Sequence, residues 1–219
     1  MISKVFSAGV LGVDGYEVAV ECSGFDRLPN FELVGLPDAA VKEAKERVRS
    51  ACENSGVRFP AMELTVNLAP ANIKKEGSAF DLAILVSILA VSGDLPKGCD
   101  LSHSTFIGEL SLSGELRPVR GVLPMVLAAR DAGRTTVYVP RENAGEASVV
   151  AGISVLGIAS VAELPEVLAG TKTVEPTVYD PRNSVPGSPP SRRTLPKCAG
   201  RARQSAPWRL PPRAGTTSS

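Results

Sequence analysis

Acid–base and metal-ligating side chains are scarce in this chain of 219 residues. His103 is the only histidine, and it sits among Ser102, Ser104 and Thr105 with no acidic neighbour to orient it. A surface histidine is expected there rather than a general base. The four cysteines, Cys22, Cys52, Cys99 and Cys198, form no C-x-x-C pair and have no spaced histidine partners, which argues against a structural zinc site. Isolated thiols suit a reducing compartment. Aromatic residues are only 5% of the chain, so its core must come from Val, Leu, Ile and Ala. No apolar run approaches the roughly 20 residues that cross a bilayer, and the start, Met1-Ile2-Ser3-Lys4, has no signal-peptide pattern. A cytoplasmic protein with no membrane partner is expected. Two motifs are also missing: there is no G-x-x-x-x-G-K-[ST], and no G-x-G-x-x-G follows a strand. ATP hydrolysis by this chain alone is therefore not supported.

Charge is unevenly placed. Residues 181–219 hold eight basic residues and no acidic ones, while residues 1–180 hold 16 basic and 23 acidic ones, a net −7. An acidic body is not the footprint of a basic DNA-binding domain.

Residues 1–170 read as one α/β domain. The first 24 residues form two strands around the Gly12-Val13-Asp14-Gly15 turn, and Phe31–Val34 is a short strand. Asp38 suits an N-cap, and Val41, Ala44, Val48, Ala51 and Cys52 recur at helical spacing up to Gly56. Glu43 and Arg47 form an i,i+4 pair on what reads as the wet face, with the other charges between Lys42 and Arg49. Met62–Ala69 alternates as a strand, and Ala79–Ser92 is a helix apolar almost all round, hence buried. Thr105–Leu110 and Glu115–Val119 read as a hairpin, followed by a helix at Val122–Ala132 and a strand at Thr135–Val139. A short helix near Gly145–Val150, a strand at Ile153–Gly157 and a helix opened by a Ser160/Glu163 capping box complete the domain.

The stretch Thr65–Gly93, TVNLAPANIKKEGSAFDLAILVSILAVSG, is the most informative. A strand runs into the charged turn Lys74-Lys75-Glu76-Gly77-Ser78-Ala79, which opens onto the apolar helix. Such a turn is a common place for a nucleophile or an anion. With FELVGLPDAAVKEAKERVRSACENSG (Phe31 to Gly56) and GELSLSGELRPVRGVLPMVLAARDAG (Gly108 to Gly133), it resembles the N-terminal, ChlI-type domain of the YifB/ComM family of magnesium-chelatase-like AAA+ ATPases. More distantly it is similar to the proteolytic domain of Lon. The resemblance implies the fold shared by that domain and the GHMP kinases, a mixed sheet with packed helices.

The Lon likeness implies a Ser/Lys dyad, but Ala79 falls at the nucleophile position and Leu123 at the lysine position. Ser78, one residue early, is the residual candidate for a divergent peptidase. The bland reading has Ser78 capping the helix, Gly77 permitting the turn and Asp81 favouring the helix dipole. For Lys74-Lys75-Glu76 a solvated turn is preferred to a phosphate or DNA contact, because two lysines neutralise too little charge.

Residues 171–219 read as a disordered Pro/Arg/Ser-rich tail, with eight of the 18 prolines in 181–219. Back-translated and shifted by one nucleotide, Thr194–Arg201 permits Asp-Phe-Ala-Glu-Val-Arg-Gly-Gln, and the shifted string resembles the start of the family's AAA+ module. Out-of-frame translation beyond about residues 181–193 is the expectation, truncating the chain before its motor. On this reading the chain is a non-catalytic accessory domain with no cofactor of its own. The resemblance assigns ATP and magnesium to the AAA+ module. It implies that module as partner, a hexamer in the full-length protein, and DNA contact only through it, in branch migration during natural transformation. The alternatives are a Ser78 peptidase and a stand-alone adaptor for another ATPase.

Overall fold

The computed structural model describes residues 1–95, 99 and 101–178. The shifted-frame segment, Cys198 and the tail beyond residue 178 lie outside the described residues. Among the described residues nine strands and six α-helices follow in the order β1(Ile2–Leu11), β2(Asp14–Phe25), β3(Asn30–Val34), α1(Ala39–Lys42), α2(Ala44–Ser55), β4(Glu63–Ala69), α3(Asp81–Ser92), β5(Ser104–Phe106), β6(Glu109–Leu110), β7(Leu116–Arg117), α4(Val122–Asp131), β8(Thr136–Pro140), α5(Ala144–Ala147), β9(Ser154–Ile158) and α6(Leu164–Leu168). Short 3-10 turns at Arg141–Asn143 and Val161–Glu163 lead into α5 and α6.

Seven strands form one mixed sheet in the order β3-β4-β2-β1-β5-β8-β9. Only β2 runs against its neighbours, because the two-residue Gly12-Val13 turn reverses it onto β1. Alternation decides the faces. Val18, Val20 and Cys22 of β2 and Leu64, Val66 and Leu68 of β4 point into one core with α2 and α3. Ala8, Val137, Val139 and Val155 point into a second core with α4 and α5. The first core explains why α3 has no polar face: from Asp81 to Leu89 every residue is buried. On the second, α4 lies so close to β2 that a Cβ on Gly15 would come within 1.9 Å of the Pro124 carbonyl oxygen.

Three elements depart from the sequence reading. The helix expected from Asp38 to Gly56 breaks at Glu43, and the Arg47 guanidinium reaches back to the Ala40 carbonyl at 2.9 Å across the break. The strand expected at Thr105–Leu110 divides between β5 in the large sheet and β6, which pairs with β7. The cause is Gly108, whose N–H and C=O leave the ladder for Ala79 and Leu82 at the start of α3. Residues 171–178, assigned by composition to the tail, are tied to the body: Thr177 N–H donates to the Val155 carbonyl at 2.9 Å, and Val174 packs on the first core.

Candidate functional site

A cleft of about 370 Å³ opens at the N-terminal end of α3. Gly77, Ser78 and Ala79 form one wall, Glu109, Pro118 and Arg120 another, with Val10 and Met125 beneath. It is the charged turn of the sequence, held in place by its neighbours. The Lys75 N–H donates to the Leu36 carbonyl at 3.1 Å, and the Asp38 N–H donates to the Lys75 carbonyl at 3.0 Å. The Asp38 carboxylate caps α1 at the Val41 N–H (2.8 Å) and also accepts from Gly77 N–H (3.3 Å). Gly77 has φ +85°, a conformation that suits glycine and lets the chain swing from Lys75 into α3.

Ser78 does not cap the helix. Its hydroxyl donates to the Glu109 carboxylate across the cleft, and the N-cap position belongs to Phe80, which makes no side-chain cap bond. The physical reason is that the α3 start is already stitched to the 108–110 segment: Leu82 N–H donates to the Gly108 carbonyl at 3.1 Å and Gly108 N–H to the Ala79 carbonyl at 2.9 Å. Glu109 also lies 3.8 Å from the Arg117 guanidinium.

The two lysines of the turn have opposite fates. Lys74 is exposed and pairs with Glu76 at 2.8 Å, as a solvated turn requires. Lys75 is fully buried, its ammonium donating to the carbonyls of Pro70 and, at 2.9 Å, Ile73. Burial pushes its pKa down. Its amine is spent on the loop that bears it, so the base nearest Ser78 in sequence is turned to other partners. Ala79 is buried in the cleft wall. Leu123 is half-buried against the second core, and its N–H donates to Glu146 at 3.3 Å.

The residues that sequence reasoning misplaced most are Arg47 and Asp81. Asp81 is fully buried and accepts from Arg47 Nε at 2.6 Å and Nη2 at 3.0 Å, and from the Leu110 N–H at 3.2 Å. The bond to Asp81 holds the Arg47 guanidinium above its ordinary range. Arg47 therefore turns inward from the face assigned to solvent, while Glu43, 3.6 Å away, stays outside.

Burial pushes the Cys22 thiol up to about 11 and the Cys52 thiol up to about 12, away from the reactive thiolate. His103 is exposed, and its backbone carbonyl accepts from the N–H groups of Thr135 and Thr136. Among the described residues no group of three or more His, Cys, Asp or Glu side chains is placed to hold a metal ion, and no helix is long and apolar enough to cross a membrane.

Residues 18–143 match the family described as subunit ChlI of Mg-chelatase. Competence protein ComM of Haemophilus influenzae is 44% identical over 149 residues, covering 68% of this chain and 29% of ComM. The uncharacterized protein YifB of Escherichia coli is 40% identical over 151 residues, 69% of this chain and 29% of YifB. The chain belongs to the YifB/ComM family. An uncharacterized family relative in Mycobacterium tuberculosis is 43% identical over 170 residues, 78% of this chain and 34% of its own length. The chain thus spans about a third of the length of the curated relatives it matches. A Lon protease of Mycolicibacterium smegmatis is 26% identical over 140 residues, 61% of this chain and 18% of that protein. The Lon likeness and the seven-stranded mixed sheet with helices on both faces agree with the α/β fold expected from sequence.

Proposed function

We propose that this chain is a non-catalytic accessory domain of a magnesium-chelatase-like ATPase that processes DNA during natural transformation, the process to which the name of its ComM relative points. The observation that carries this reading is the state of the Ser78 turn. The hydroxyl is engaged by a carboxylate, the neighbouring lysine amine is engaged by carbonyls, and Ala79 and Leu123 stand where a Lon-like dyad would need a nucleophile and its base. A serine nucleophile needs a base within hydrogen-bond reach, and a protonated or carbonyl-bound lysine does not serve. ATP, magnesium, hexamer formation and DNA contact belong on this reading to the ATPase module, since the chain's sequence has no P-loop. Residues beyond about 181–193 fit out-of-frame translation, and the nucleotide sequence downstream of Ser219 tests that: P-loop codons in the alternative frame support it, and their absence contradicts it.

The accessory role is tested by exchange. The region of H. influenzae ComM that matches this chain is replaced by the corresponding region of this protein, with and without Ser78→Ala, and transformation frequency is measured against the deletion. Equal rescue by both chimaeras is expected. Rescue that depends on Ser78 would assign chemistry to the cleft, and no rescue by either would contradict the accessory role.

A further inference from the structure

The two edges of the large sheet are finished differently. The Thr177 N–H meets β9 at the Val155 carbonyl, 2.9 Å away. Along β3 no other main-chain segment pairs on the outer side among the described residues: Asn30–Val34 pair with β4 on one side only, and the Phe31 N–H donates to the Asn30 side chain at 2.9 Å. An open edge strand presents unpaired N–H and C=O groups, a template for another strand. Apolar side chains flank this edge, with Leu28 88% and Leu36 55% exposed.

Between β3 and α2 lies a groove of about 250 Å³. Phe31 and Phe59, ring centroids 6.1 Å apart, and Met62 line it, and Lys45, Arg49 and Glu53 lie on its α2 side, two cations to one carboxylate. Arg49 is engaged, 3.6 Å from Glu53 and 5.7 Å from the Phe59 ring centroid. Lys45 has no ion-pair or hydrogen-bond partner among the described residues. Residues 1–180 carry a net −7, so a free ammonium in a groove that two aromatic rings line departs locally from an acidic body.

We propose that the β3 edge and this groove dock an extended acidic segment of a partner protein. The segment adds a strand to β3, seats one apolar side chain against Phe31 and Phe59, and sets a carboxylate on Lys45 and Arg49. Strand geometry gives the motif. Phe31 and Leu33 face the α2 side of the sheet, and on an added strand the side chains facing that side are alternate residues, roughly 6–7 Å apart. The apolar anchor and the acid therefore lie two residues apart. Main-chain pairing supplies affinity and the two pockets supply selectivity. A second copy of this chain fits worse. Antiparallel self-pairing about a two-fold axis would set Glu32, the midpoint of β3, against its own copy, and like charges directly opposed destabilise a ladder.

The test uses the full chain and an array of capped heptapeptides of the form Thr-Val-Thr-apolar-Thr-acid-Thr, in which the apolar residue is varied and the acid is Asp, Glu, Asn or Lys. The strongest binder is then titrated by fluorescence anisotropy, and amide shifts are followed by NMR. Expected are retention of the Asp and Glu forms over the Asn and Lys forms, and shifts centred on Asn30–Val34. Lys45→Glu should weaken binding at low salt by roughly tenfold or more with unchanged melting temperature; Arg49→Glu should weaken it likewise, with a small fall in melting temperature because the new carboxylate opposes Glu53. N-methylation of alternate peptide amides should abolish binding. No preference for acid, shifts centred elsewhere, or indifference to N-methylation would each overturn the proposal. So would a concentration-dependent dimer that buries the β3 edge, which would assign that edge to a second copy.

Discussion

The guanidinium of Arg47 holds both carboxylate oxygens of Asp81, Nε to Oδ2 at 2.6 Å and Nη2 to Oδ1 at 3.0 Å. One residue lies on α2 and the other in the first turn of α3. Arg47 also bonds the Ala40 carbonyl at the break before α2, and Asp81 accepts from the Leu110 N–H of β6. A single ion pair thus joins the α1–α2 break, α3 and the small hairpin behind the Ser78 cleft.

Removing Arg47 leaves the Asp81 charge buried and unpaired. Arg47→Met should cost roughly 3–5 kcal/mol in urea unfolding, the range for breaking one side of a buried pair. Arg49→Met, two residues along the same helix on an exposed i,i+4 pair, should cost about 1 kcal/mol or less. Equal effects would mean that the inward pair does not hold the two helices.

Lys75 and Lys74 offer a second contrast. Lys75→Met keeps the volume but strips the Pro70 and Ile73 carbonyls of their donor, and should cost about 1–3 kcal/mol. Lys74→Met changes an exposed side chain and should leave the urea midpoint where it is.

Glu163 sets an acid limb. Burial pushes its pKa up, but the Lys172 ammonium at 2.6 Å and the N–H groups of Ala159 and Ser160 more than reverse this, so the net shift is downward. An acid whose folded-state pKa lies below its unfolded value stabilises the fold when ionised. That contribution is present above the ordinary value of 4.5 and is lost as pH falls through the lower folded value. Glu163→Gln should therefore lower the melting temperature at pH 7 and flatten its decline below about pH 4.5. Parallel profiles for the two proteins would contradict this.

Much of the fold was legible because local rules agreed with tertiary packing. Alternation in Met62–Ala69, the Asp38 cap and the Ser160/Glu163 capping box all appear where the residues place them. The stops at Gly56 and Gly93 also hold, both in left-handed C-cap positions. What failed was tertiary in origin. A charge pattern cannot show that Arg47 turns inward, although the signal was present: Asp81 opens a helix that is otherwise apolar on every side, so its carboxylate had to find a buried partner. Lys75 reads as solvated beside Lys74 because both stand in one turn, and it is the close approach of residues 36–38 that separates them. Serine suits an N-cap, but the α3 N-terminus takes its partner from Gly108 instead.

Hydrolysis of an unfolded fluorescent casein by the purified chain, compared with its Ser78→Ala variant, tests the reading of the cleft most directly. Ser78 is engaged by Glu109, and among the described residues no lysine pairs with it, so both proteins should show the same rate, at the level of the protein-free blank. A rate above the blank that disappears with Ser78→Ala would contradict the account and make the cleft an active site.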